Sequence, residues 1–206
     1  MKRILCFWIA LSAMTLFATA QEDQAPRRDK AFLIEYYRQT FDNLRTAVEG
    51  LNAEQLRFQP KLGSWSIGQC LEHILLSELN LLGYAKFTIS QAPNPERQSE
   101  IKLTDDGIIA SLTDRSFRAT ATAELTPGDA GKYPDPDTPI SELADQRKSL
   151  ISYIESLSDD DMRSRITDSP FGPVDGYQTL LFIAAHTARH TLQIEEIKAD
   201  PAFPKP

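Results

Sequence analysis

Three histidines are the residues of this sequence whose type and spacing point to chemistry. His186 and His190 are four residues apart, and His73 is the only other histidine of the chain. Residues i and i+4 lie on one face of a helix, so both imidazoles of the pair can reach the same ion. Three imidazole ligands are typical of catalytic metal sites, because structural zinc sites are usually closed by four protein ligands.

The sequence around the pair places it at the edge of an apolar helix face. That face is formed by four aliphatic residues, Leu180, Ile183, Ile194 and Ile197. Neutral imidazoles in a partly apolar pocket are costly unless they share an ion or have hydrogen-bond partners. A divalent metal is therefore the favoured hypothesis, and packed core histidines are the alternative. Imidazole suits zinc, nickel, copper and ferrous iron, and the sequence does not distinguish among them.

Five residues near the histidines in sequence are further candidates for the same pocket. Gln69 and Gln193 can orient imidazoles through hydrogen bonds, or they can serve as cap and surface residues. Cys70 is a candidate fourth ligand or reactive thiol, and otherwise a small buried hydrophobe. Arg189 either positions an anionic substrate or faces solvent. Trp65 can rim a pocket, or it can serve only as a core and loop anchor.

Composition and motifs exclude several other classes of function. The chain has 206 residues, 41% hydrophobic and 25% charged, with a net charge of −7, which is typical of an ordinary acidic globular protein. Such a charge disfavours nucleic acids and anionic membrane surfaces as partners. The sequence contains no GxSxG, glycine-rich phosphate loop, CxxC or HExxH motif. A small-molecule substrate is expected, and a homodimer is compatible with the sequence.

The histidines need helices to position them, and the pattern of apolar residues predicts an all-α chain. Apolar positions recur at helical spacing in four long segments and one short one: 29–51, 66–89, 107–118, 140–157 and 176–199. No convincing strand alternation is found. Segment 126–139 is rich in proline, glycine and aspartate and predicts a long crossover loop. The expected architecture is a four-helix bundle with that loop.

Helix starts are marked by residues that can satisfy the first free amides. Ser66 with Gln69 matches a capping box at the start of the His73 helix. Asp175 and Gln178 form a similar pair before the last helix. Thr138 followed by a proline predicts the N-cap of the helix at 140–157.

The two ends of the chain are predicted to lie outside the helical domain, which is assigned to residues 27–200. Residues 1–20 have a basic start, an apolar stretch and an Ala-Thr-Ala end, which is typical of a signal peptide. An exported protein, periplasmic or secreted, is therefore expected, without stable membrane insertion after cleavage before Gln21. Cys70 would be its one remaining cysteine. Residues 201–206 form a proline-rich tail.

Two motifs resemble those of the DinB-like superfamily of four-helix metalloproteins, which includes YfiT-type proteins and the bacillithiol and mycothiol S-transferases. The run from Trp65 and Ser66 to His73 is similar to the family's W-S-x-x-x-x-x-x-H entry into its second helix. Phe171-Gly172-Pro173, followed by the run from His186 to Gln193, is similar to its H-x-x-R-H-x-x-Q pattern. The resemblance spans residues 29–199.

The resemblance implies an up-down-down-up bundle with a divalent metal bound by His73, His186 and His190. Family members with an assigned activity use the metal to activate a small thiol for transfer or isomerisation, or water for hydrolysis. Thiol cofactors of this class are cytosolic, so a signal peptide disfavours the S-transferase reading. The resulting hypotheses are a metal-dependent hydrolase or thiol transferase, a non-catalytic bundle that binds a metal or small molecule, and a structural bundle with packed histidines.

Overall fold

The computed structural model describes residues 27–117, 120–130 and 132–205. The predicted signal peptide at 1–20 lies outside them. Two short 3-10 helices, Pro95–Glu100 and Ala123–Leu125, interrupt the connection between the second and third long helices. The helices and strands are α1 (Lys30–Val48), α2 (Ala53–Arg57), α3 (Ile67–Ser90), α4 (Asp105–Thr113), α5 (Asp137–Ser156), α6 (Asp159–Arg163), β1 (Ile166–Ser169), β2 (Gly172–Asp175) and α7 (Gly176–Lys198).

Two apolar clusters fill opposite ends of the bundle and define the direction of each long helix. The first cluster takes residues from the starts of α1 and α7 and from the ends of α3 and α5, including Leu33, Leu180, Ile89 and Ile154. The second takes residues from the opposite end of each helix, including Leu44, Ile194, Leu71 and Leu143. The helices α1 and α7 therefore run one way, and α3 and α5 run the other way. This up-down-down-up arrangement confirms the predicted bundle.

The crossover follows from this topology. Because α3 and α5 pack side by side and run in the same direction, the chain must return along the whole bundle between them. Residues 91–136 make this return and include α4, which packs against α7. Among the described residues, no helix is both long and apolar enough to cross a membrane.

Capping boxes start both histidine helices, as predicted. Ser66 accepts a hydrogen bond from the Gln69 amide, and the Gln69 side chain accepts one from the Ser66 amide. Asp175 and Gln178 make the same reciprocal pair at the start of α7. Each box satisfies amides that would otherwise lack partners, which fixes the residue at which the helix begins. The direction in which each later histidine points is set by that start.

Two predicted helix boundaries are wrong. Thr138 is not the cap of α5: the helix begins at Asp137, and the Asp135 carboxylate accepts hydrogen bonds from the Asp137 and Thr138 amides. The short helix α4 ends at Thr113 and does not extend to 118. At this end, the Arg189 side chain of α7 donates hydrogen bonds to the carbonyls of Leu112 and Asp114. These bonds stabilise the end of the helix at Thr113.

A β-hairpin precedes α7, where the sequence predicted only a loop. Strands β1 and β2 pair antiparallel with Ile166 opposite Asp175. At the turn, Gly172 has φ 93°, a conformation that favours glycine, and Ser169 donates its hydroxyl to the Gly172 carbonyl. Strands of four residues are too short for an alternating pattern to be recognised in the sequence.

The proline-rich segment after α7 packs on the second apolar cluster. Phe203 makes an edge-to-face contact with Phe58, with ring centroids 5.5 Å apart. The Gln55 side-chain amide donates to the Pro204 carbonyl over 3.0 Å. The described part of this segment therefore contributes to the core rather than extending into solvent.

Candidate metal centre

The three histidines come together in the middle of the bundle, between the two apolar clusters. His73 projects from α3, and His186 and His190 project from α7. The His186 Nε2 atom lies 3.2 Å from His73 Nε2 and 3.1 Å from His190 Nε2. One ligand atom from each of the three residues lies within 4.8 Å of those from the other two. Residues separated by 113 positions in the sequence thus present nitrogens to one point.

The outer nitrogens of two of these rings show which way their lone pairs point. His73 Nδ1 is 2.7 Å from the Leu125 carbonyl oxygen, an atom that only accepts hydrogen bonds. His190 Nδ1 is 2.9 Å from Oε1 of Gln193. Each Nδ1 therefore carries the proton and donates it. A neutral ring with a proton on Nδ1 has a bare lone pair on Nε2, so two lone pairs face the centre of the cluster.

Burial keeps the imidazoles neutral. His73 and His190 are buried, with 5% and 6% of their surface exposed, and His186 is partly buried. Desolvation lowers the pKa of all three rings, that of His186 to about 3, and the neighbouring imidazoles lower the pKa values of His186 and His190 further. Neutral imidazole is the form that binds a metal.

Two of the three separations between the histidine nitrogens match those expected around a divalent ion. Zinc binds histidine nitrogen at about 2.0–2.1 Å, so two tetrahedral ligands lie about 3.3 Å apart. The two short Nε2 separations in the cluster, 3.1 and 3.2 Å, are close to that value. Within the described residues, no carboxylate oxygen and no cysteine sulfur belongs to the cluster. Three protein ligands would leave a position open for a substrate or solvent molecule.

Trp65 covers the imidazoles from the chain segment that leads into α3. Its ring centroid is 4.7 Å from that of His73 and 6.0 Å from that of His190, to which it is nearly parallel. On the opposite flank, the buried Ser77 hydroxyl lies 3.3 Å from His73 Nε2. Trp65 thus lines the site, and these contacts hold the His73 ring in one orientation.

The loop between α4 and α5 is tied down beside the site by the first turns of α3. The Glu72 carboxylate accepts hydrogen bonds from the Gly128 amide and the Lys132 ammonium. The Gln69 side chain donates to the Gly128 carbonyl over 2.8 Å. These bonds hold the stretch that contains the Leu125 carbonyl, the acceptor for His73. Gln69 therefore supports the loop and caps α3, while Gln193 makes the direct contact with an imidazole.

Cys70 and Arg189 are engaged away from the metal-binding nitrogens. Cys70 is fully buried in the second apolar cluster, and desolvation raises the pKa of its thiol to about 12. Arg189 donates to the carbonyls of Leu112, Asp114 and Phe117. Its guanidinium thus joins α7 to the end of α4 instead of facing solvent.

Two contacts of the site were missed in the sequence. Ser77 is four residues after His73, so its helical spacing could have indicated a neighbour on the same face. The Leu125 carbonyl gives no sequence signal, because a main-chain acceptor can belong to any residue type.

Comparisons with known proteins agree with this geometry. The family model of the DinB superfamily matches residues 36–194. The uncharacterized protein YuaE of Bacillus subtilis (strain 168) is 26% identical over 151 residues, which cover 73% of this chain and 88% of YuaE. The solved structure of YfiT from Bacillus subtilis, described as a probable metal-dependent hydrolase with an unusual four-helix bundle topology, is similar in fold. Its TM-score is 0.59 at 18% identity, over 85% of this chain and 91% of YfiT. The chain belongs to the DinB superfamily.

Proposed function

We propose that this protein is a metal-dependent hydrolase that holds one divalent ion with His73, His186 and His190. The observation that carries the proposal is the convergence of three Nε2 atoms, two of them with lone pairs fixed inward by hydrogen bonds at Nδ1. The polar hydrogens within reach of these two acceptors are those of His186 Nε2 and, beside His73, the Ser77 hydroxyl, and a cation between the three nitrogens would satisfy both acceptors at once. The description of YfiT as a probable metal-dependent hydrolase supports the same reaction class.

A divalent ion in this position supplies Lewis acidity, which lowers the pKa of a bound water or thiol and makes a nucleophile available near neutral pH. The protein contributes orientation. Leu125 and Gln193 fix two imidazole rings from outside, and Trp65 limits access to one side of the site. A substrate small enough to enter beside Trp65 is expected.

The nucleophile is expected to come from solvent. Cys70 is sealed in the core with a raised thiol pKa, and within the described residues no carboxylate or thiol belongs to the histidine cluster. Water is therefore the proposed nucleophile. A free low-molecular-weight thiol in its place would make the protein a thiol transferase acting through the same site.

The decisive experiment measures metal content and hydrolysis on the same samples. Protein purified without a histidine tag is analysed for zinc, nickel and iron beside the His73→Ala/His190→Ala variant, and both are assayed on a panel of esters, amides and lactones. We expect about one ion per chain, hydrolysis that depends on it, and loss of both in a folded variant. Absence of metal after incubation with each ion would overturn the proposal. Tight metal uptake without an exchangeable water or turnover would instead identify a non-catalytic binding protein.

Export is proposed from the signal-like pattern of residues 1–20. Expression of the full chain in a bacterial host, followed by cell fractionation and mass measurement, tests it. A product beginning at Gln21 outside the cytoplasm is expected. A full-length cytoplasmic product would remove the argument against a thiol transferase.

A further inference from the structure

A second polar site lies on the outer side of the bundle, in a cleft between α3 and α5. The cleft has a volume of about 300 Å³. Three leucines form its apolar wall, Leu79, Leu82 and Leu150. Four lining residues carry side-chain oxygens, Glu78, Asp145, Gln146 and Ser149, and the Ser149 hydroxyl donates to the Asp145 carbonyl. Glu78 is five residues after His73 on α3, but the cleft shares no lining residue with the histidine cluster.

The Glu78 carboxylate is buried and only half satisfied. Its side chain is 2% exposed, and its Oε2 atom accepts a hydrogen bond from Arg147 Nε over 2.8 Å. Its other oxygen, Oε1, meets no hydrogen-bond donor among the described residues. The Oε1 atom of Gln146 is also buried and meets none there. Two buried acceptors on residues that line the cleft therefore lack donors, which is an expensive arrangement for an interior.

Arg147 balances the charge of Glu78 but gives no donor to its Oε1 atom. The remaining nitrogens of Arg147 donate behind Glu78, to the Tyr37 carbonyl, the Thr40 hydroxyl and the Thr187 hydroxyl. No lysine or arginine lines the cleft in the part of the chain that the structure describes. Asp145, at its exposed rim, adds a further negative charge. The cleft is therefore apolar on one wall and acceptor-rich and anionic on the other.

We propose that this cleft binds a small organic ammonium ion, a primary amine with a short aliphatic chain. On binding, the partly exposed Gln146 side chain turns to admit the ammonium group, which then donates to Glu78 Oε1 and Gln146 Oε1 and lies near the Asp145 carboxylate. The aliphatic chain lies against the leucine wall. An ammonium ion has three donors and no acceptor, which matches a site of acceptors, and a neutral alcohol of the same length cannot supply the charge.

Direct binding of n-butylammonium chloride to the full chain tests the proposal. Saturation-transfer NMR and calorimetry are run at constant ionic strength in EDTA, so that the amine cannot coordinate a metal. Saturable binding is expected, with 1-butanol binding at least about tenfold more weakly because it lacks the charge-assisted hydrogen bonds. Equal binding of 1-butanol, or no saturation by butylammonium at tens of millimolar, would overturn the proposal.

Three variants locate the bound amine. Gln146→Leu removes an acceptor from a partly exposed position and is expected to weaken binding about tenfold. Asp145→Asn is expected to weaken it less, because its carboxylate is exposed. Glu155→Gln, an exposed acid farther along α5, is the matched control and should leave binding unchanged. If Gln146→Leu binds as tightly as the parent, the cleft is not the site. The His73→Ala/His190→Ala variant should still bind the amine, which separates this proposal from the metal site.

Discussion

The bundle contains two buried polar clusters between its apolar ends. They are the histidine cluster and the pair Glu78–Arg147, and they differ in how their polar groups are balanced. In the pair, a buried negative charge meets a buried positive one at 2.8 Å, and Arg147 also donates to α1 and α7. In the histidine cluster, three neutral rings converge without an opposite charge. The charges of the pair are balanced by the protein itself, although Glu78 Oε1 has no donor among the described residues, and the pair joins four helices. The histidines present acceptors to each other, an arrangement that an added cation completes.

The largest expected effect comes from breaking the charged pair. Arg147→Met leaves the buried Glu78 carboxylate without a counter-charge, so the free energy of unfolding should fall by about 3–5 kcal/mol. Denaturant unfolding of metal-free protein measures it. The double variant Glu78→Leu/Arg147→Met should recover most of the loss, because no charge stays buried alone. If the double variant is as unstable as the single one, the pair is held by packing rather than by charge.

The opposite behaviour is expected for the histidine cluster. His186→Leu replaces one of three buried, converging polar rings with an apolar side chain, so the metal-free variant should be as stable as the parent or more stable. With metal at one hundred times its dissociation constant, the parent should gain about 2.7 kcal/mol and the variant little or nothing. Thermal unfolding with and without zinc measures both values. A variant that gains as much as its parent would show that the ion binds elsewhere.

A smaller effect is expected from the residue that orients His190. Gln193→Leu removes the acceptor at Nδ1, so the ring can rotate or change tautomer, and metal affinity should fall by about 10–100-fold with little change in fold. Competition with a chelator of known affinity measures it. Gln39→Leu, at an exposed position of α1, is the matched control. Unchanged affinity in Gln193→Leu would remove this residue from the site.

The smallest effect, counted per unit of pH, is a pH dependence of the metal-free protein. The folded-state pKa of His186 lies near 3, below its ordinary value of 6.5, so the unfolded chain binds more protons between these values. Stability is therefore complete above about pH 6.5 and falls as the pH is lowered, by about 1.4 kcal/mol per pH unit for this residue. Urea midpoints between pH 4 and 7 measure the slope. His186→Leu should flatten it, and an equal slope in that variant would assign the effect to other groups.

The sequence predicted the parts of the molecule that depend on spacing along a single helix. His186 and His190 were placed on one face by their separation, and the capping boxes at Ser66 and Asp175 were readable as short patterns. The start of α5 was predicted wrongly. The prediction used Thr138 and the proline after it, whereas the acceptor of the first amides is the Asp135 carboxylate, which comes before that pair. The hairpin before α7 was missed because its strands are four residues long.

Contacts between distant parts of the chain could not be predicted from the sequence, for a physical reason. Arg189 was expected to face a substrate or solvent, but it binds main-chain carbonyls at the end of α4, and any residue type could have supplied them. The charged pair is similar: Glu78 and Arg147 are 69 positions apart, and only the packing of α3 on α5 brings them together. Sequence patterns describe faces of helices, and the partner of a face depends on the whole fold.

The position of α7 in the chain order has a consequence for how the protein is made. This helix packs against α1, α3 and α4, yet the ribosome produces it after all three. Until it emerges, only α5 packs against both α1 and α3, and the nascent chain carries one histidine of the three. Apolar faces of the earlier helices are then exposed during synthesis, a state in which chains tend to aggregate or recruit chaperones. The metal site can form only once folding brings α7 against α3, so acquisition of the ion would report that the fold is complete.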